Sequence, residues 1–105
     1  MNIIGAVEAL ESLNKRLQKP VSRQLFSQSI APVLLATGYA KQIGGVTVID
    51  GEAWAGWWIG YIAFRERKIT AGEWGASRPY SAAEAEDWRD GVYDDEEAQN
   101  DADAD

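Results

Sequence analysis

The sequence predicts an α+β fold: a leading amphipathic helix, a small antiparallel sheet of three to five strands, and a short C-terminal helix. Three observations carry this. Apolar residues recur at helical spacing over 2–18, a β-branched alternation marks Val46 to Asp50, and a capping box opens at Ser81.

In the first run Ile3, Val7, Leu10, Leu13 and Leu17 fall three or four residues apart and line one helical face. Glu8 and Glu11 lie toward its start and Lys15, Arg16 and Lys19 toward its end, as a helix dipole favours. Asn2 can cap it and Pro20 stops it. Val21 to Phe26 fits either a short strand or a helical turn. Ile30 to Ala36 (IAPVLLA) reads as a strand, with Pro32 placing it at an edge or a strand start. Gly44–Gly45 makes a turn, and Val46 to Asp50 (VTVID) a strand. Asp50–Gly51 signals a further turn. Trp57 to Phe64 (WWIGYIAF) reads as a strand, and Arg65 to Lys68 as the polar turn of a hairpin leading into Ile69–Thr70. Ser81–Ala82–Ala83–Glu84 then opens a helix of one or two turns that ends near Trp88.

Charge divides the chain in two. The net charge is -7, yet seven acids (Asp94, Asp95, Glu96, Glu97, Asp101, Asp103 and Asp105) crowd the end, and before them acids and bases balance. Residues 1–93 therefore form a neutral single domain, and 94–105 (DDEEAQNDADAD) a disordered, solvating acidic tail. A DNA mimic needs carboxylates on a rigid surface at phosphate-like spacing, which a tail on a neutral body does not supply, so nucleic-acid mimicry is set aside.

The chain has no His and no Cys. The commonest general base, the usual zinc ligands and the thiol nucleophile are all missing, so the expectation is a binding protein with no catalytic residues, metal or cofactor. An enzyme would have to run on carboxylates such as Asp50, Glu52 and Asp87 around magnesium. No apolar run reaches the roughly 20 residues of a membrane span, so no membrane partner is expected. The opening residues lack a basic n-region and carry Glu8 and Glu11, unlike a secretory signal, which leaves the cytoplasm as the expected location.

Aromatics are the compositional excess: all five Trp and all four Tyr lie between positions 39 and 93. In a strand over 57–64, Trp57, Ile59, Tyr61 and Ala63 point one way and Trp58, Gly60, Ile62 and Phe64 the other. Both faces are apolar, so one of them is expected to meet a second sheet, another subunit or a ligand. Self-association as a dimer or tetramer, with a ring-lined pocket between subunits, satisfies that demand.

Asn2, Ala6, Ala9 and Leu10 in the first helix, Arg23 three residues before Phe26, and Trp74 followed by Ala85–Glu86–Asp87–Trp88 form an ordered set. This set resembles the second type of Thoeris anti-defence protein, a family of small phage sponges. The resemblance implies a compact α+β fold, homo-oligomers, action in the bacterial cytoplasm, and pockets between subunits that sequester a cyclic ADP-ribose isomer without cleaving it. Carried over by position, it implies Phe26 and Trp74 stacking the base, Arg23 on a phosphate, Asp87 on ribose hydroxyls or an amino group, and Ser77 or Ser81 at a single serine position. Phe26 stands where the family has Trp, and the Trp74–Trp88 spacing is longer than the family's, which is why two serines compete. The alternative expectation is a phage-encoded inhibitor of a host restriction or CRISPR effector, using an exposed aromatic face and the acidic tail.

Overall fold

The computed structural model describes residues 2–93, and the acidic tail expected at 94–105 lies outside the described residues. The chain runs β1 (Ile3–Gly5), α1 (Ala6–Asn14), α2 (23–37), β2 (Ala40–Ile43), β3 (Val46–Asp50), α3 (51–70) and α4 (Ala82–Arg89). The fold is α+β, with one antiparallel sheet in the order β1-β3-β2.

The VTVID segment is the central strand. It pairs with β1 in the register Ile3↔Asp50 and Gly5↔Val48, and with β2 in the register Ala40↔Ile49 and Ile43↔Val46. Gly44 and Gly45 close the β2–β3 hairpin with φ of 59° and 79°, a two-residue turn that needs left-handed backbone at both positions. Ile49 is buried beneath the helices, whereas Ile3, Ile43 and Val46 stand exposed on the opposite face.

The leading helix is shorter than its apolar period implies. Ile3–Gly5 is drawn out to pair with β3, and α1 ends at Asn14. The Asn14 side chain explains the stop: its Oδ1 accepts from the Val21 N–H at 2.7 Å and its Nδ2 donates to the Val21 carbonyl at 3.0 Å. Glu66 on α3 accepts from the Lys19 N–H at 2.8 Å and so holds the connecting loop.

Two segments read as strands are helices. Ile30 to Ala36 lies in α2, which Ser22 caps by accepting from the Leu25 N–H at 3.1 Å. The helix closes on Gly38 (φ 86°), where the Gly38 N–H meets the Leu35 carbonyl and the Tyr39 N–H the Leu34 carbonyl, a Schellman ending. Pro32 follows a π-turn over Phe26–Ile30, in which the Ala31 N–H reaches back to the Phe26 carbonyl. Trp57 to Phe64 lies in α3, and so do Arg65 to Lys68 and Ile69–Thr70, so the expected hairpin does not exist. Asp50 is the reason. Its carboxylate accepts from the Glu52 and Ala53 N–H groups at 3.0 and 3.3 Å, which makes Asp50–Gly51 a helix cap.

Helix α3 buries one broad apolar face and leaves Glu52, Ala55, Gly56 and Arg67 exposed on the other. Trp54, Trp58, Ile59, Tyr61, Ile62 and Phe64 of α3 are buried, with Leu13 of α1, Ile30 and Leu34 of α2, Ile49 of β3 and Ala85 of α4 around them. Among the described residues no helix is long and apolar enough to cross a membrane.

Candidate ligand-binding site

The densest polar cluster joins α3 to α4. Tyr61 and Arg65 stand one turn apart on α3, and Glu84 lies in the first turn of α4. Ser81 caps α4 by accepting from the Glu84 N–H at 3.3 Å. The Glu84 carboxylate completes no capping box. It accepts from the Tyr61 hydroxyl, from Arg65 Nη1, and from Arg78 Nε at 2.7 Å. Arg65 Nη2 donates to the Arg78 carbonyl at 2.7 Å, and its guanidinium carbon lies 4.1 Å from the centre of the Tyr80 ring. Arg65 is 2% and Glu84 7% exposed and the two form a buried ion pair, with Arg65 Nε left without an acceptor among the described residues. Burial, and next the hydrogen bond to Glu84, push the Tyr61 hydroxyl well above its ordinary pKa, and burial pushes Tyr80 up as well.

This hub fixes the loop between the helices and everything mounted on it. Arg78, its Nε held by Glu84, lies with its guanidinium carbon 3.9 Å from the centre of the Trp74 ring. Trp74 is braced edge-on by Phe64 at 5.5 Å and by Tyr93 at 6.1 Å. The Arg78 side chain remains 41% exposed. Its Nη1 and Nη2 meet no acceptor among the described residues. The product is a partly exposed cationic plate, the Arg78 guanidinium over the Trp74 indole, held by Glu84 and braced by Phe64 and Tyr93.

The residues expected at the site divide into two groups. Trp74, Ser77 and Ser81 share the loop that carries Arg78, with Ser77 exposed and the Ser81 hydroxyl occupied as the cap of α4. Asp87 is exposed on α4. Arg23 is exposed on the first turn of α2, away from that loop in sequence and in element. Phe26 is 2% exposed and edge-on to Trp54 at 6.0 Å. It is a core residue with no free face, and five rings (Trp54, Trp58, Tyr61, Trp88 and Phe64) link it to Trp74 in a chain of contacts. Phe26 and Trp74 of one chain therefore do not sandwich a common base.

The same chain of rings corrects the expected aromatic surplus. Every indole packs against another ring within one subunit: Trp57 meets Tyr39 at 4.6 Å and Trp58 at 5.1 Å, and Trp88 leans on Tyr61 and Phe64. Nor do Asp50, Glu52 and Asp87 form a magnesium site, since Asp50 caps α3 and no group of three such side chains suited to a metal occurs among the described residues.

Sequence reasoning missed Arg78, Glu84 and Arg65. Only a helical reading of 51–70 would have set Tyr61 and Arg65 on one face; nothing local in the sequence pairs Arg65 with Glu84. Comparison with protein-family models, curated proteins and solved structures finds no match.

Proposed function

We propose that this is a non-catalytic phage anti-defence protein that acts in the host bacterial cytoplasm by binding and sequestering a cyclic nucleotide immune signal of the ADP-ribose type. The observation that carries the reading is the Arg78 guanidinium, held through its Nε by Glu84 and centred 3.9 Å from the middle of the Trp74 ring, with no acceptor for its outer nitrogens among the described residues. A pre-oriented fork suits a pyrophosphate, because little side-chain entropy remains to be lost when it binds. Guanidinium and indole planes also stack nucleobases. Ser77 and Asp87 supply a hydroxyl and a carboxylate for ribose hydroxyls or an exocyclic amine, and Arg23 would come from a second copy in a homo-oligomer. Release without cleavage fits the chemistry at hand: Glu84, the carboxylate at the plate, is already engaged by three donors and is no free base.

Calorimetry with cyclic ADP-ribose isomers tests this. The protein is expected to bind one of them tightly and to return it chemically intact on denaturation. Arg78→Gln should weaken binding roughly 5- to 150-fold, about 1–3 kcal/mol for a lost stacking partner, with the fold retained. No heat from any cyclic nucleotide would remove the reading.

A second reading is favoured by the outer sheet face, where Ile3, Ile43 and Val46 are each more than half exposed. Such a patch suits a protein partner, and an inhibitor of a host restriction or CRISPR effector would use it. Deleting 94–105 should then slow association with that enzyme and flatten its salt dependence, whereas nucleotide binding should not change.

A further inference from the structure

A separate pocket of about 210 Å³ lies between the loop that follows α1, the C-terminal half of α3 and the loop that leads into α4. Leu17 comes from the first, Glu66 and Ile69 from the second, and Ala76 and Tyr80 from the third. Leu17, Ile69 and Tyr80 are half-buried and Ala76 is exposed, so each keeps surface that an occupant can cover. Tyr80 is held in place from behind. The Arg65 guanidinium lies 4.1 Å from the centre of its ring and donates to the Arg78 carbonyl two residues earlier at 2.7 Å. Little freedom is left in Tyr80 for a ligand to quench.

Apolar surface beside a loop is common on any protein. Two polar groups set this pocket apart. The half-buried Tyr80 hydroxyl meets no acceptor among the described residues, since Arg65 beside it can only donate. Burial raises the pKa of that hydroxyl, so it keeps its proton. Lys19 also lines the pocket, is exposed and makes no ion pair among the described residues. It stands five residues past Asn14, the last residue of α1, where the helix dipole no longer reaches. Glu66, the one carboxylate of the lining, already accepts from the Gln18 and Lys19 N–H groups at 3.3 and 2.8 Å. Two open donors, an engaged carboxylate and an apolar wall suit an anion with an apolar body.

We propose that this pocket is a second binding site, independent of what the Arg78 plate takes, for a small apolar carboxylate. The apolar body rests against Leu17 and Ile69, and the carboxylate accepts from the Tyr80 hydroxyl and pairs with Lys19. The volume lies below the roughly 300 Å³ at which drug-sized pockets begin, which limits the body to about one ring or a short acyl chain.

The test is an NMR titration of the full-length protein with benzoate, against benzyl alcohol, which lacks the charge, and acetate, which lacks the body. Benzoate is expected to move the Leu17 and Ile69 methyl resonances and the Tyr80 ring while the Trp74 indole N–H stays in place. Benzyl alcohol and acetate should both bind more weakly. Lys19→Gln with Tyr80→Phe, which keeps the ring over Arg65, should weaken benzoate roughly tenfold and benzyl alcohol far less. Ala76→Phe, made at an exposed position, should fill the pocket and abolish the benzoate shifts with circular dichroism unchanged. The proposal is overturned if benzoate moves none of the three residues, if acetate binds as well as benzoate, if the double substitution weakens both ring compounds alike, or if the shifts survive Ala76→Phe. None of these results bears on the plate, which the calorimetry with cyclic nucleotides decides.

Discussion

Glu84 is the residue on which the C-terminal half of the protein turns, because one carboxylate answers Tyr61, Arg65 and Arg78. Glu84→Gln leaves Arg65 buried without a counter-charge, and a loss of about 3–5 kcal/mol in urea denaturation is expected. Ser81→Ala, which removes only the cap, should cost about 1 kcal/mol. The same cluster sets a pH limit. Tyr61 and Tyr80 have raised pKa values in the folded state, so above about pH 10 the unfolded chain releases protons that the folded one retains. Their contribution is complete below that pH and drains away as pH climbs toward the folded values. Thermal melts should fall steeply in alkali, and Tyr61→Phe should flatten that fall.

Helix α3 is the element on which the packing depends, and it is also where the sequence misleads. Gly60 illustrates its fit: a Cβ there would stand 2.9 Å from the Trp88 ring of α4. Gly60→Ala should therefore displace Trp88 and cost about 1–3 kcal/mol, read as a lower unfolding midpoint. Strand β3, the Gly44–Gly45 turn and the Ser81-capped helix were legible because each carries a local signal: alternation, paired glycines, a cap. WWIGYIAF was not. The run carries no polar residue even where its outer face, Trp57, Gly60 and Ala63, is only half-buried, so its period cannot separate strand from helix, and Asp50–Gly51 serves a turn or a cap equally well. Two signals were present but outweighed. LLATG ends as helices end, with glycine in the left-handed region at Gly38, and Arg65 and Glu66 have better side-chain roles inside a helix than in a hairpin turn. Of the proposed site, Trp74, Ser77 and Ser81 came from the family resemblance, and the Ser81 hydroxyl is taken up as the cap of α4. Arg78 owes its role to Glu84 and Arg65, and that long-range pairing leaves no local trace. Phe26 was assigned to the site only through the family resemblance, and the core claims it instead.

At the scale of the molecule, one flank of the sheet is wrapped by helices and the other offers Ile3, Ile43 and Val46 to the outside. If copies associate there, Ile43→Glu should reduce the mass measured by sedimentation to that of a single chain without altering its circular dichroism. An unchanged mass would move self-association to another surface. The continuous file of rings through the interior has an optical consequence. Neighbouring chromophores at centroid separations of 4.6 to 6.5 Å exchange excitation readily, so light absorbed at Phe26 or Tyr39 can emerge far from where it entered. The five indoles then glow as one lamp, and any occupant that dims Trp74, at the far end of the file, should darken far more of the emission than a single tryptophan contributes.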